Sequence, residues 1–115
     1  MAVQSLAGLA VYGGRPERLL GFYRDRLGIP LALTTHGSVR EHYEAAIGET
    51  HVALLPGRPR LVPSFRVADL AAALAGAEGG GAIRVFGPLE LGGGKRVAGL
   101  AGPDGFEVRV VEIDG

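Results

Sequence analysis

What most constrains this chain is that its sequence reads as one pattern written twice. Residues 6–12 (Leu-Ala-Gly-Leu-Ala-Val-Tyr) suit a strand, and Pro16 follows where a first helical turn tolerates proline. Leu19, Leu20, Tyr23 and Leu27 then recur at helical spacing up to Gly28, a C-terminal cap. Three strands are expected next, over about 30–36, 39–47 and 50–55, the last two joined at Gly48-Glu49. Leu61–Val67 restarts the pattern, with Asp69 as the N-cap of a short helix carrying Leu70, Ala73, Leu74 and Ala77. Strands near 82–86, 95–101 and 106–113 follow, and Gly102-Pro103-Asp104-Gly105 is the turn before the last. Arg15 and Asp69, about 54 positions apart, both open a helix just after a strand, which matches Gly8 to Val62. Laying Val52 and Leu54 on Val108 and Val110 raises the later offset to about 56 and pairs Ala53 with Arg109.

The 115 residues suffice for one domain, 1–115, with module one over about 5–57 and module two over about 60–113. Glycine, at 20 residues, falls mostly between apolar runs as turn punctuation, so no interdomain linker is evident. Twelve Lys and Arg balance twelve Asp and Glu, which leaves no net field to draw in nucleic acid or anionic lipid. Cysteine is absent, excluding disulfides, thiolate metal sites and a cysteine nucleophile. No apolar run approaches the ~18 residues of a membrane span, and the first residues lack a signal-peptide pattern, so a cytoplasmic protein is expected. Gly92-Gly93-Gly94-Lys95-Arg96 is not a phosphate loop, because Arg96 stands where the motif requires serine or threonine and no helix opens there.

Residues 15–28, Arg-Pro-Glu-Arg-Leu-Leu-Gly-Phe-Tyr-Arg-Asp-Arg-Leu-Gly, resemble the D-x-E-R-S-L-x-F-Y-x-x-x-L-G helix of the vicinal oxygen chelate superfamily, which includes glyoxalases, extradiol dioxygenases, and fosfomycin- and bleomycin-resistance proteins. Phe65-Arg66-Val67-Ala68-Asp69-Leu70 resembles the start of that family's second half, and Gly102 to Val108 its D-P-D-G-N-x-V/I ending. The resemblance implies an α+β fold: two βαβββ modules forming a curved, mostly antiparallel sheet around a ligand cavity, with helices on the outer face. In many such proteins a divalent metal takes ligands from the first and last strand of each module. Here the corresponding positions fall on Gly8, Ala53, Val62 and Arg109, which offer a metal no donor. The resemblance therefore implies the metal-free branch, with no cofactor: a protein that binds, and by sequestration disposes of, a small organic molecule such as an antibiotic or metabolite. It also implies a homodimer.

Strand alternation assigns the faces. Gly8, Ala10 and Tyr12, then Val62, Ser64 and Arg66, then Glu107, Arg109 and Val111 should look into the cavity, with Leu9 and Val11 directed to the helix. Tyr12 offers an aromatic surface and Arg109 a guanidinium fork for an anionic group. Of the three histidines, His36, His42 and His51, the hairpin places Ala46 opposite His51 and puts His42, Glu44 and His51 on one face. Tyr43, Ala45, Ile47, Val52 and Leu54 take the helix side. Two imidazoles and a carboxylate make an alternative site, a displaced metal triad or an acid–base pair for a lyase or isomerase. Arg96 is expected in a loop at the cavity mouth, facing ligand or solvent. The Gly57-Arg58-Pro59-Arg60 run reads as the solvated link between modules, and a purely structural domain is the third reading.

Overall fold

The chain order is strand, helix, three strands, twice over. A computed structural model describes residues 3–36 and 39–114, the side chains of 35–41 excepted. The strands are β1 (Val3–Gly13), β2 (Ala32–His36), β3 (Val39–Ile47), β4 (Thr50–Pro56), β5 (Arg60–Val67), β6 (Ile83–Gly92), β7 (Lys95–Ala101) and β8 (Glu107–Ile113). The helices are α1 (Pro16–Leu20), which continues as a π-helix over Gly21–Arg26, and α2 (Leu70–Gly79). This is the α+β, βαβββ arrangement expected. The contacts group into two compact units, Gly8–Leu61 and Met1–Ala7 with Val62–Gly115.

In the first unit the strand order is β2-β3-β4-β1, and in the second β5-β8-β7-β6, which is the same order of local elements. Each unit holds one parallel pair, β1 with β4 and β5 with β8, and two antiparallel pairs. The register carries the repeat residue by residue. Ala10 pairs with Ala53 and Tyr12 with Leu55 in the first unit; Ser64 pairs with Arg109 and Arg66 with Val111 in the second. Those pairs are related by the same two offsets that the sequence gives, so Ala53 and Arg109 do occupy equivalent places.

Local chemistry explains the helices. Pro16 fills a first-turn position whose N–H would have no helical partner, and Gly28, at φ +83°, ends the helix by donating its N–H to the Arg24 carbonyl. Between them Leu27 N–H bonds to Phe22 O, one residue further back than in an α-helix. That widened turn rotates Leu27 out of the helical stripe, so Leu27 is exposed, as is Phe22. In the second unit the Asp69 carboxylate accepts from Ala72 N–H at 3.0 Å, the expected N-cap.

Each unit buries one sheet face under its helix. Val11, Leu20, Leu31, Ala45 and Leu54 form the first core, with Leu9, Leu19, Tyr23 and Tyr43 packed against it. Val67, Leu70, Leu74, Ala98, Leu100 and Val110 form the second. Full burial of one such aliphatic side chain is worth about 1.5–3 kcal/mol. Ile47, expected on the helix side, is half exposed, because it ends β3 at the turn. β6 runs on past the expected end at 86, with register shifts around Phe86 and Leu89. Last in its unit's strand order, β6 tolerates Pro88 and irregular pairing.

Candidate functional site

With the helices on one side, the polar residues singled out by alternation fall on the other. In the first unit three rows cross this helix-free face. Ala10, Ala53, Glu44 and Ala32 are mutually paired in one row, Gly8, His51 and Ala46 lie on one side of it, and Tyr12 and Leu55 on the other. Glu44 is thus a carboxylate set among alanines. One oxygen lies 2.8 Å from His42 Nε2 and the other 3.3 Å from His51 Nδ1. The three side chains make a chain running inward: His51 is 60% exposed, Glu44 21% and His42 5%. Sequence alternation therefore does bring His42, Glu44 and His51 together. The carboxylate stands between the two imidazoles, one at each oxygen, and among the described residues no group of three His, Cys, Asp or Glu side chains is placed to hold a metal ion. The side chain of His36 lies outside the described residues.

Tyr12 lies under a guanidinium that the sequence reading left in the linker. The Arg60 guanidinium carbon sits 3.8 Å from the centre of the Tyr12 ring, a cation–π stack. Gly57, at φ +153°, leaves room for it, since a Cβ there would come 3.1 Å from the Tyr12 ring. The signal was available: β5 begins at Arg60, one residue earlier than expected, and alternation from there puts Arg60 on the face of Val62, Ser64 and Arg66.

In the second unit Phe86, Gly99, Arg109 and Ser64 pair successively across four strands. The Phe86 ring folds over Gly99, where a Cβ would stand 2.3 Å from a ring carbon, and the Arg109 guanidinium carbon lies 5.6 Å from the ring centre. Arg109 Nη2 is 3.6 Å from Glu107 Oε2, with both side chains 22% exposed. Arg66 is one row along, donating to the Ile113 carbonyl at 3.4 Å. The result is a recessed cation walled by an aromatic ring, with a hydroxyl beside it, which suits the anionic group of a ligand. Nothing in the sequence reading marked Phe86; the clue was a lone glycine, Gly99, in mid-strand.

Arg96 is in neither cluster. It lies in β7 rather than in a loop, and alternation with Ala98 and Leu100 turns it to the helix side. There it ion-pairs with Glu112, whose other oxygen accepts from Leu70 N–H at 2.8 Å, at the start of α2. The hydrogen bond from Arg96, reinforced by that from Leu70, holds the Glu112 carboxyl below its ordinary pKa, and the same pairing raises that of Arg96.

No protein-family model matches the sequence, and no curated protein does. Solved structures do. Methylmalonyl-CoA epimerase from Streptomyces coelicolor, in complex with 2-nitronate-propionyl-CoA, superposes with a TM-score of 0.73 at 16% identity, covering 99% of this chain and 100% of that one. The epimerase from Mycobacterium tuberculosis gives 0.71 at 16%, covering 99% and 91%. A hypothetical protein from Bacillus halodurans gives 0.73 at 16%, covering 96% and 95%. Methylmalonyl-CoA epimerase is a member of the vicinal oxygen chelate superfamily. This chain has the vicinal oxygen chelate fold. At the places where that resemblance puts metal donors, Gly8 and Ala53 carry none, Val62 is a fully buried aliphatic and Arg109 brings positive charge, so these residues do not fit a divalent cation.

Proposed function

We propose that this vicinal oxygen chelate protein binds a small organic anion without a metal, on the helix-free face of its second unit. The observation that carries the reading is the Phe86–Gly99–Arg109–Ser64 row: a guanidinium with restricted exposure, an aromatic wall made possible by a glycine, and a hydroxyl, all on one sheet face. Arg109 takes the carboxylate or phosphate, Phe86 the apolar part, and Arg66 adds a second positive charge. Ligands held by proteins of this fold support the class, since the Streptomyces coelicolor epimerase was solved with 2-nitronate-propionyl-CoA and another epimerase structure with methylmalonyl-CoA, both anionic thioesters. The metal-dependent alternative through His42, Glu44 and His51 would need three donors converging on a point, whereas here each imidazole meets a different oxygen of Glu44 and, among the described residues, no such three side chains are placed to hold an ion.

The test is calorimetry and thermal shift with short-chain acyl-CoA thioesters and small carboxylates, with and without EDTA. Saturable binding that survives EDTA and is lost in Arg109→Gln is expected. Binding that needs a divalent metal, or none by any anion tested, would overturn the reading. Homodimerisation belongs to the same proposal. Exposed Ile83, Val85, Leu89 and Leu91 lie on β6, the last strand in its unit's order, and sedimentation at micromolar concentration measures the state. Among the described residues no helix is long and apolar enough to cross a membrane.

A further inference from the structure

We propose that the ligand of the Arg109 site is a linear medium-chain carboxylate, its head at the guanidinium and its alkyl chain laid along β6 on the helix-free face of the second unit. This deepens the anion-binding reading and rests on it. The register supplies an apolar strip. Phe86 pairs with Gly99, and Leu89 pairs with Val97, two residues from Gly99 on β7, so both side chains lie on the face of Arg109 although they are three apart in sequence. The register shift between them absorbs the odd residue at Gly87, which has φ +88° and where a Cβ would come 2.7 Å from the Val97 carbonyl oxygen. Leu91 joins Leu89 by alternation, because Glu90 between them pairs with Arg96 on the helix side. Ile113, two residues beyond Val111 on β8, borders the same face. Leu89 and Leu91 are half exposed and Val97 and Ile113 partly so, whereas Val111 is buried and takes no part. A contiguous apolar strip that starts at a recessed cation is the surface an amphiphilic anion covers. Running the chain the other way would cover the Glu107 carboxylate, 3.6 Å from Arg109, and strip its water. At about 3.4 Å per residue, Ile113 stands about 14 Å along β8 from Arg109, the reach of an extended decanoate.

Calorimetry on the full-length protein with hexanoate, octanoate and decanoate, each below its aggregation concentration, reads the chain directly. A fully buried methylene contributes about fourfold in affinity and one lying on an open face about twofold, so decanoate should bind at least about tenfold tighter than hexanoate. Decanol, with the same chain and no charge, should bind at least about tenfold more weakly than decanoate, since it forgoes the charge-assisted bond to Arg109. Leu89→Ser combined with Leu91→Ser, at exposed positions outside the core, should bring the decanoate-to-hexanoate ratio down to about threefold or less, with melting temperature as the check on folding and sedimentation as the check on association. No binding of any carboxylate overturns this proposal together with the anion reading. Equal affinity at every chain length overturns this proposal alone. So do decanol binding as tightly as decanoate, a chain-length ratio that the double variant keeps, and a ratio lost only as that variant separates a wild-type dimer, which would make the strip a contact between copies.

Discussion

Gly99→Ala tests whether the second unit's site is built as described. A methyl group at this position would lie 2.3 Å from one Phe86 ring carbon and 2.6 Å from the next. Carbon atoms in contact sit about 3.5–4.0 Å apart, so the ring must retreat by more than about 1 Å. Phe86 is only partly buried and can swing outward, so the cost belongs in the ordinary overpacking range of about 1–3 kcal/mol. For a domain of this size that is a fall in Tm of very roughly 4–12 °C. Remove the ring, and the sign should change: in a Phe86→Ala background the new methyl meets no aromatic carbon, and replacing glycine inside a strand returns about 0.5–1 kcal/mol. Urea denaturation of the four proteins in the cycle gives the coupling, expected at roughly 2 kcal/mol. If Gly99→Ala costs the same with and without Phe86, the ring does not occupy the space over Gly99, and the aromatic wall beside Arg109 is wrong.

Three further outcomes follow from the two cores and the helix starts. Leu54→Ala, at a fully buried position in the first core, should cost about 2–5 kcal/mol in chemical denaturation. Asp69→Ala removes the side-chain acceptor at the start of α2 and should cost about 1 kcal/mol, most of it kept by Asp69→Asn. Glu112, with its folded pKa below the ordinary value of 4.5 through Arg96 and Leu70, adds stability that is full above that value and lost as pH falls through the lower folded pKa. Acid titration of the melting temperature should therefore be shallower in Glu112→Gln than in wild type.

The repeat was legible because its signals are local. A proline at one helix start, an aspartate at the other, glycine at a helix end and strict alternation on both central strands each act within a few residues, and together they fixed offsets that the ladder register reproduces at Ala10–Ala53 and Ser64–Arg109. What escaped depended on geometry across strands. Leu27 keeps its helical spacing in the sequence, but a π-turn, with Leu27 N–H bonded to Phe22 O, leaves it facing outward. Arg96 alternates with Ala98 and Leu100 in a strand already expected over 95–101, so its helix-side place was readable although it was assigned to a loop, whereas its partner Glu112 lies on another strand and left no mark. Phe86 escaped for the same reason: its ring occupies a gap in the neighbouring strand.

The equivalence of the two repeats gives the candidate sites their sense. One cross-strand row of the first unit reads Ala10, Ala53, Glu44, Ala32; the corresponding row of the second reads Ser64, Arg109, Gly99, Phe86. Equivalent rows thus carry a carboxylate in one copy, where the other has Gly99, and a guanidinium in the other, where the first has Ala53, and the chain's zero net charge conceals this local separation. Beneath the helices the two core clusters are both aliphatic, with Val11 and Leu54 in one and Val110 and Leu100 in the other, the second unit adding the Arg96–Glu112 pair at the start of α2. Different charged groups on the helix-free face over two aliphatic core clusters are what separate ligand chemistries on a shared scaffold require. It follows that changes at Leu54 should move stability and leave anion binding at Arg109 intact in whatever protein remains folded, whereas Arg109→Gln should abolish that binding at little cost to the core.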